Sequence, residues 1–207
     1  MAARFLMLIL VTLLALPLTE GTQPAEAGKR FKTVTKTFSS NGQIAIPGSG
    51  VATPYPAIIH VGRFKRARIL DVNLTLRNFS HSFPDQVDVL LVAGNGRNAL
   101  VMSDVGGNDN ADNLTITLDD EAAAALPLSS QLSSGTFRPT NDGAIETLPA
   151  PAPVSSGNVA LAVFNHANPR GNWQLFVRDD NAGDNGLIAG GWSLEIKMKV
   201  KKKHRHH

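Results

Sequence analysis

Apolar and polar residues alternate along most of this chain with a period of two, the pattern that sets one face of a β-strand against a core and the other toward water. Leu70, Val72, Leu74 and Leu76 give the cleanest run, and Leu114, Ile116 and Leu118 repeat it. Together with shorter apolar segments they predict strands over 33–38, 43–46, 58–61, 69–76, 87–92, 99–103, 114–118 and 159–164. Near the C-terminus Trp173, Leu175 and Val177 alternate with polar neighbours, and Trp192, Leu194 and Ile196 do so again. These predict two tryptophan-anchored strands, joined as a hairpin by an acidic, glycine-rich turn, with both indoles in the core. The one helix-favouring segment, 120–126 with its four alanines, stops at Pro127 and is a connector at most. Many short strands, many turns and almost no helix predict an all-β, antiparallel β-sandwich.

The stretch 127–157 is rich in Ser, Pro, Gly and Thr, with scattered anchors at Phe137 and Ile145. Too few strands follow it to close a second sandwich, so it is expected to be a long surface loop of a single domain. The first 27 residues have the form of a secretory signal. Arg4 supplies the positive start, 5–18 is an apolar run, and Ala25 and Ala27 place small residues at the cleavage site. The expected mature domain covers 28–198, followed by a basic, histidine-containing tail over 199–207. Nothing after the signal is apolar enough to span a bilayer. Export to the exterior or the cell envelope is expected. The absence of cysteine leaves stability to the core rather than to disulfides.

The formal charge of +3 conceals segregation. Residues 29–68 hold eight basic and no acidic side chains, 69–196 hold five basic and fifteen acidic, and 197–207 hold six basic and none acidic. An acidic body with basic ends suits an anionic envelope polymer as partner of the tail; a solvated, frayed terminus is the plainer alternative. No aromatic side chains interleave the tail, so no nucleic-acid partner is expected. No segment carries a nucleophile motif or an assembled triad, and His60, His81 and His166 each stand alone in sequence. Two loops offer oxygen ligands for calcium. The first is Asp179, Asp180, Asn181 and Asp184; the second and weaker is Asp104, Asp109 and Asp112. Asp and Asn with glycine also make good turns without any ion.

The order Gly171, Trp173, Leu175, Val177, Asp179, Gly183, Asp184, Gly186, Trp192, Leu194 resembles the C-terminal signature of the P (Homo B) domain of furin-like and kexin-like subtilases. His81, Asp85 and 87–92, followed by Gly94-Asn95-Gly96, resemble the family's earlier motif more loosely. Asp85-Gln86-Val87 stands where Gly-Asp-Leu is usual, and no proline precedes Asn95. The resemblance implies a jelly-roll sandwich of galactose-binding-like type without its own active site. It further implies a module that packs on, supports and tunes a serine endopeptidase, in some members with calcium. The partner would be a secreted subtilase or another extracellular protein. The alternative is an extracellular protein-binding or envelope-polymer-binding module with no protease involved.

Overall fold

The structure, a computed structural model, describes residues 30–202; the signal segment and the last five residues of the tail lie outside them. The strands are β1 (Phe31–Ser40), β2 (Ile44–Ile46), β3 (Gly50–Val51), β4 (Ala57–Val61), β5 (Arg68–His81), β6 (Val87–Val92), β7 (Asn98–Ser103), β8 (Ala111–Leu118), β9 (Gly135–Phe137), β10 (Thr140–Asn141), β11 (Gly171–Asp179), β12 (Gly186–Ile188) and β13 (Trp192–Lys201). One sheet runs β1-β13-β5-β12-β2, with β8 also on β5 and β9 on β8; the other runs β10-β7-β6-β11-β3, with β4 also on β11. The pairings are antiparallel except for two short ones, β8 with β9 and β7 with β10. Two sheets face each other over one main core, so the expected β-sandwich is the fold.

The alternating pattern of β5 holds from Val72 onward, whereas Leu70 is half-buried and Ile69 takes the inward place beside a register shift at Lys197/Met198; on β8 Ile116 and Leu118 are buried and Leu114 half-buried. On β5, Val72, Leu74, Leu76 and Phe79 are buried, and a register shift between Leu76 and Phe79 accommodates Asn78 at φ 56°. Trp173 and Trp192 are both fully buried, and the Trp173 ring packs 4.9 Å from that of Phe164. The two tryptophan strands do not form the expected hairpin. β11 pairs with β4 and β6 in one sheet, whereas β13 pairs with β1 and β5 in the other. The acidic turn therefore crosses between sheets, with β12 seated between β5 and β2 on the way. Each indole reaches the core from its own sheet, whereas a hairpin would send both in from one; alternation requires only that each strand bury one face, so it does not distinguish the two arrangements.

Two further expectations change, one at 159–164 and one at the C-terminal end. The segment expected as a strand over 159–164 ends instead in a 3-10 turn, Leu161–Phe164. The carboxylate of Asp120 accepts the N–H groups of Leu161 (2.9 Å) and Ala162 (2.7 Å), giving those donors a partner that no neighbouring strand supplies. The alanine segment is a turn, in keeping with the connector expected, and the Arg138 guanidinium takes the carbonyls of Ala122 and Ala123, each at 2.7 Å. The last strand also runs to Lys201, three residues past the expected end of the domain.

The loop over 127–157 is a strap rather than a loose connector. Leu132 and Leu148 are buried, as is Leu126 just before it, and β9 and β10 both lie within it. Leu148, Tyr55 and Ala152 cover Leu90, Val92, Leu100 and Phe176 on the outer face of the second sheet. This second apolar layer explains why β6 and β7 are buried at every position, the reading that a continuous apolar run calls for. The strap is tied down by the Tyr55 hydroxyl donating to the Pro149 carbonyl (2.8 Å) and by Asn98, which bonds Val154 and Ser156.

Candidate functional site

Strands β5, β7 and β11 end, and β6, β8 and β12 begin, at one pole of the sandwich, because Asp179 stands opposite Val87, Gly186 opposite His81, and His81 opposite Ala111. Both acidic loops therefore meet there. Their carboxylates, however, face separate partners.

The centre of the pole is Arg178, near the end of β11. Its Nη2 lies 3.0 Å from Asp88, 3.1 Å from Glu146 and 3.5 Å from Asp180, and its Nη1 donates to the Thr147 carbonyl at 2.8 Å. One guanidinium thus joins the start of β6, the strap and the acidic turn. Asp88 sits within an apolar strand under the strap, with its side chain 2% exposed. The Ser103 hydroxyl lies 2.7 Å from Asp88 Oδ1 and 3.0 Å from Asp104 Oδ2. A hydroxyl has one proton for these two acceptors, so a proton held by either carboxyl would complete the set. Burial pushes Asp88 up to about 7, against the opposing pull of Ser103 and Arg178. Burial also raises Asp104 and Asp85, with neighbouring carboxylates adding to the effect.

Beside this cluster lies a buried His81–Asp179 pair, joined Nε2 to Oδ2 at 3.2 Å. The Phe83 N–H donates to His81 Nδ1 at 3.1 Å, so Nδ1 is the acceptor and Nε2–H donates to Asp179. Asp179 Oδ1 accepts the Asn181 N–H at 3.0 Å. Burial raises the Asp179 carboxyl, offset in part by the Asn181 N–H and by His81. With both ring nitrogens engaged and no side-chain exposure, this pair cannot relay protons to a substrate. It fixes β11 to β5 instead. Gly186 completes the arrangement, since a Cβ there would run into the His81 ring and the Ser80 carbonyl.

The remaining residues of the expected calcium loops are dispersed. Asp184 accepts from the Ser82 hydroxyl at 2.8 Å, and Asn181 Oδ1 accepts the Ala182 N–H at 2.8 Å. Asp112 lines an open cleft of about 310 Å³ with Asn110, Ser82 and Asn185, and no carboxylate group of three forms around Asp104, Asp109 or Asp112 among the described residues. Only Asp180, of all the expected ligands, belongs to such a group, with Asp88 and Glu146. The Arg178 guanidinium contacts all three. The donor set therefore does not fit calcium as it stands: an ion among these three oxygens would have to displace Arg178. Sequence reasoning missed Arg178, Asp88 and Glu146. The available signal was an aspartate inside the apolar run Val87–Val92, which demands a buried partner.

No protein-family profile matches the chain, and no curated protein is similar to it. Among solved structures, it is similar to a chain in the crystal structure of the Aeromonas sobria serine protease with its chaperone, at 11% identity and TM-score 0.40. It is similar also to the crystal structure of the serine protease of Aeromonas sobria, at 13% identity and TM-score 0.40. The match takes in 84% of this chain in both cases but only 27% and 28% of those chains. A likeness this distant carries no argument about activity.

Proposed function

We propose that this chain is an exported, non-catalytic β-sandwich module, similar to a P domain, that supports a subtilisin/kexin-type serine endopeptidase. What carries the reading is the structural work done by the signature residues. Trp173, Leu175, Val177, Trp192 and Leu194 all point into the core, Asp179 is buried against His81, and Gly171 lets β11 approach Gly94 more closely than a Cβ would permit. Release from the signal after Ala27 would deliver the domain outside the cytoplasm.

The test is to refold a subtilase stripped of its own C-terminal sandwich in the presence of this protein. The expected result is a higher yield of active protease or a longer thermal half-life. No change over a concentration series would sink the reading. Casein incubated with this protein alone should remain intact.

A second reading, binding of an anionic envelope component, is favoured by a separate observation: the N-terminal and C-terminal basic segments are paired in space, with Lys201 opposite Phe31 and Lys199 opposite Arg68.

A further inference from the structure

The pole opposite Arg178 gathers cations from three places in the chain. The N–H of Lys201 donates to the Lys65 carbonyl at 3.1 Å, and that of Lys202 donates to the Arg30 carbonyl at 2.9 Å. The turn between β4 and β5, with Arg63, Lys65 and Arg66 exposed, is thereby held beside the ends of β1 and β13. On β13, Lys197, Lys199 and Lys201 project to the outer face at every second residue, opposite Thr35, Thr33 and Phe31 of β1. The Lys199 ammonium lies 5.3 Å from the Phe31 ring centroid. Among the described residues, the ion pairs are made by Arg178 and His81, and none of these lysines or arginines takes part in one. The facing acid in register is Asp71, opposite Lys197.

We propose that this pole is a docking surface for an anionic phospholipid bilayer. The inference deepens the second reading above and rests on it. The cations form a broad array on strand ends and a turn, which suits a sheet of headgroup phosphates that asks for charge rather than shape. An acidic polysaccharide or a nucleic acid is gripped through a groove or stacking platforms, and among the described residues this pole presents no free aromatic face: both tryptophans are buried, Tyr55 lies under the strap, and the Phe31 ring is covered by Lys199. The large exposed apolar residues, Val51, Ile58, Leu128, Ile145 and Val154, belong to other segments, so contact is with headgroups and without insertion. The sequence continues the charge at both ends of the described fold, with Lys29 before Arg30 and Lys203 and Arg205 after Lys202. The apolar run ending at Leu18 enters the domain through Arg30, after a stretch that can span at most about 40 Å. A chain held by that run during export presents this pole to the bilayer.

The test uses the chain from Gly28 onward, which contains every strand of the sandwich, floated with phosphatidylcholine vesicles with and without phosphatidylglycerol. Binding is expected only with phosphatidylglycerol, and it should vanish near 1 M salt, where screening falls to about 3 Å. Replacing Lys65, Lys199 and Lys201 together by alanine should weaken partitioning by about a hundredfold. Lys36→Ala, toward the middle of β1, should change it little. Vesicle binding unaffected by the triple substitution would overturn the assignment to this pole. A parallel arm with polygalacturonate separates the two levels. Capture of the polymer without vesicle binding overturns the lipid inference and keeps the second reading, whereas failure of both removes both.

Discussion

At the Arg178 pole a single guanidinium serves Asp88, Glu146 and Asp180, and a shared hydroxyl and a histidine are drawn in around it; at the opposite pole, Lys65, Lys199 and Lys201 project from strand ends and a turn without acidic partners among the described residues. The same chain therefore uses charge in two ways. Where charge is buried it becomes part of the fold, because removing either partner leaves the other stranded in a low dielectric. Where it stays in water it contributes little to folding and remains free to meet something else.

The contrast can be broken most directly at Arg178. Arg178→Met should destabilise the fold by about 3–5 kcal/mol in urea unfolding near pH 9, where Asp88 is ionised and would be left buried without a cation. A loss of under about 1 kcal/mol would show that the cluster is as dispensable as a surface pair. Next comes pH. Asp88 is raised from the ordinary carboxylate range to about 7, so the stability that goes with its protonated form is present below about pH 4 and is lost as pH rises through 7. The fold should thus weaken between pH 4 and 8, with Asp88 contributing at most roughly 4 kcal/mol. Asp88→Asn should flatten the profile, and a wild-type profile that instead rises over this range would reverse the argument. At the other pole, alanine at Lys65, Lys199 and Lys201 should each shift stability by no more than about 0.5 kcal/mol by the same measurement. The smallest effect concerns calcium. Because Arg178 contacts each carboxylate of the group of three found among the described residues, adding calcium or chelator should leave the melting temperature within about 1 °C. A clear rise with calcium would mean that the guanidinium yields its place.

The fold was largely readable from local pattern, and the site was not. Period-two alternation on β5 and β8 and the apolar runs of β6 and β7 carry their own burial signal, because each strand must hide a face whatever lies opposite. The crossing of the tryptophan strands between sheets was invisible, since alternation says which side is buried and not which strand is the neighbour. The expected calcium turn was read from composition alone. Its residues are indeed adjacent, but Asp179, Asp180 and Asp184 leave the turn toward His81, Arg178 and Ser82, and those directions depend on strands far away in sequence. Glu146 is similarly a long-range partner, 32 residues before Arg178 and delivered by a strap whose composition resembled a linker. Asp120, which turns an expected strand into a 3-10 segment, acts from 41 residues away.

The pairing of β1 with β13 also determines how the module would answer a mechanical load. Its two strands run antiparallel and finish together, with Lys202 bonded to Arg30. Force applied through the two ends would therefore open their ladder one hydrogen bond at a time, like a zip, rather than load all of its bonds together. Peeling away β1 first would uncover Val34 and Phe38 and the edge of the main core behind them while the strap and Arg178, at the far end, still held.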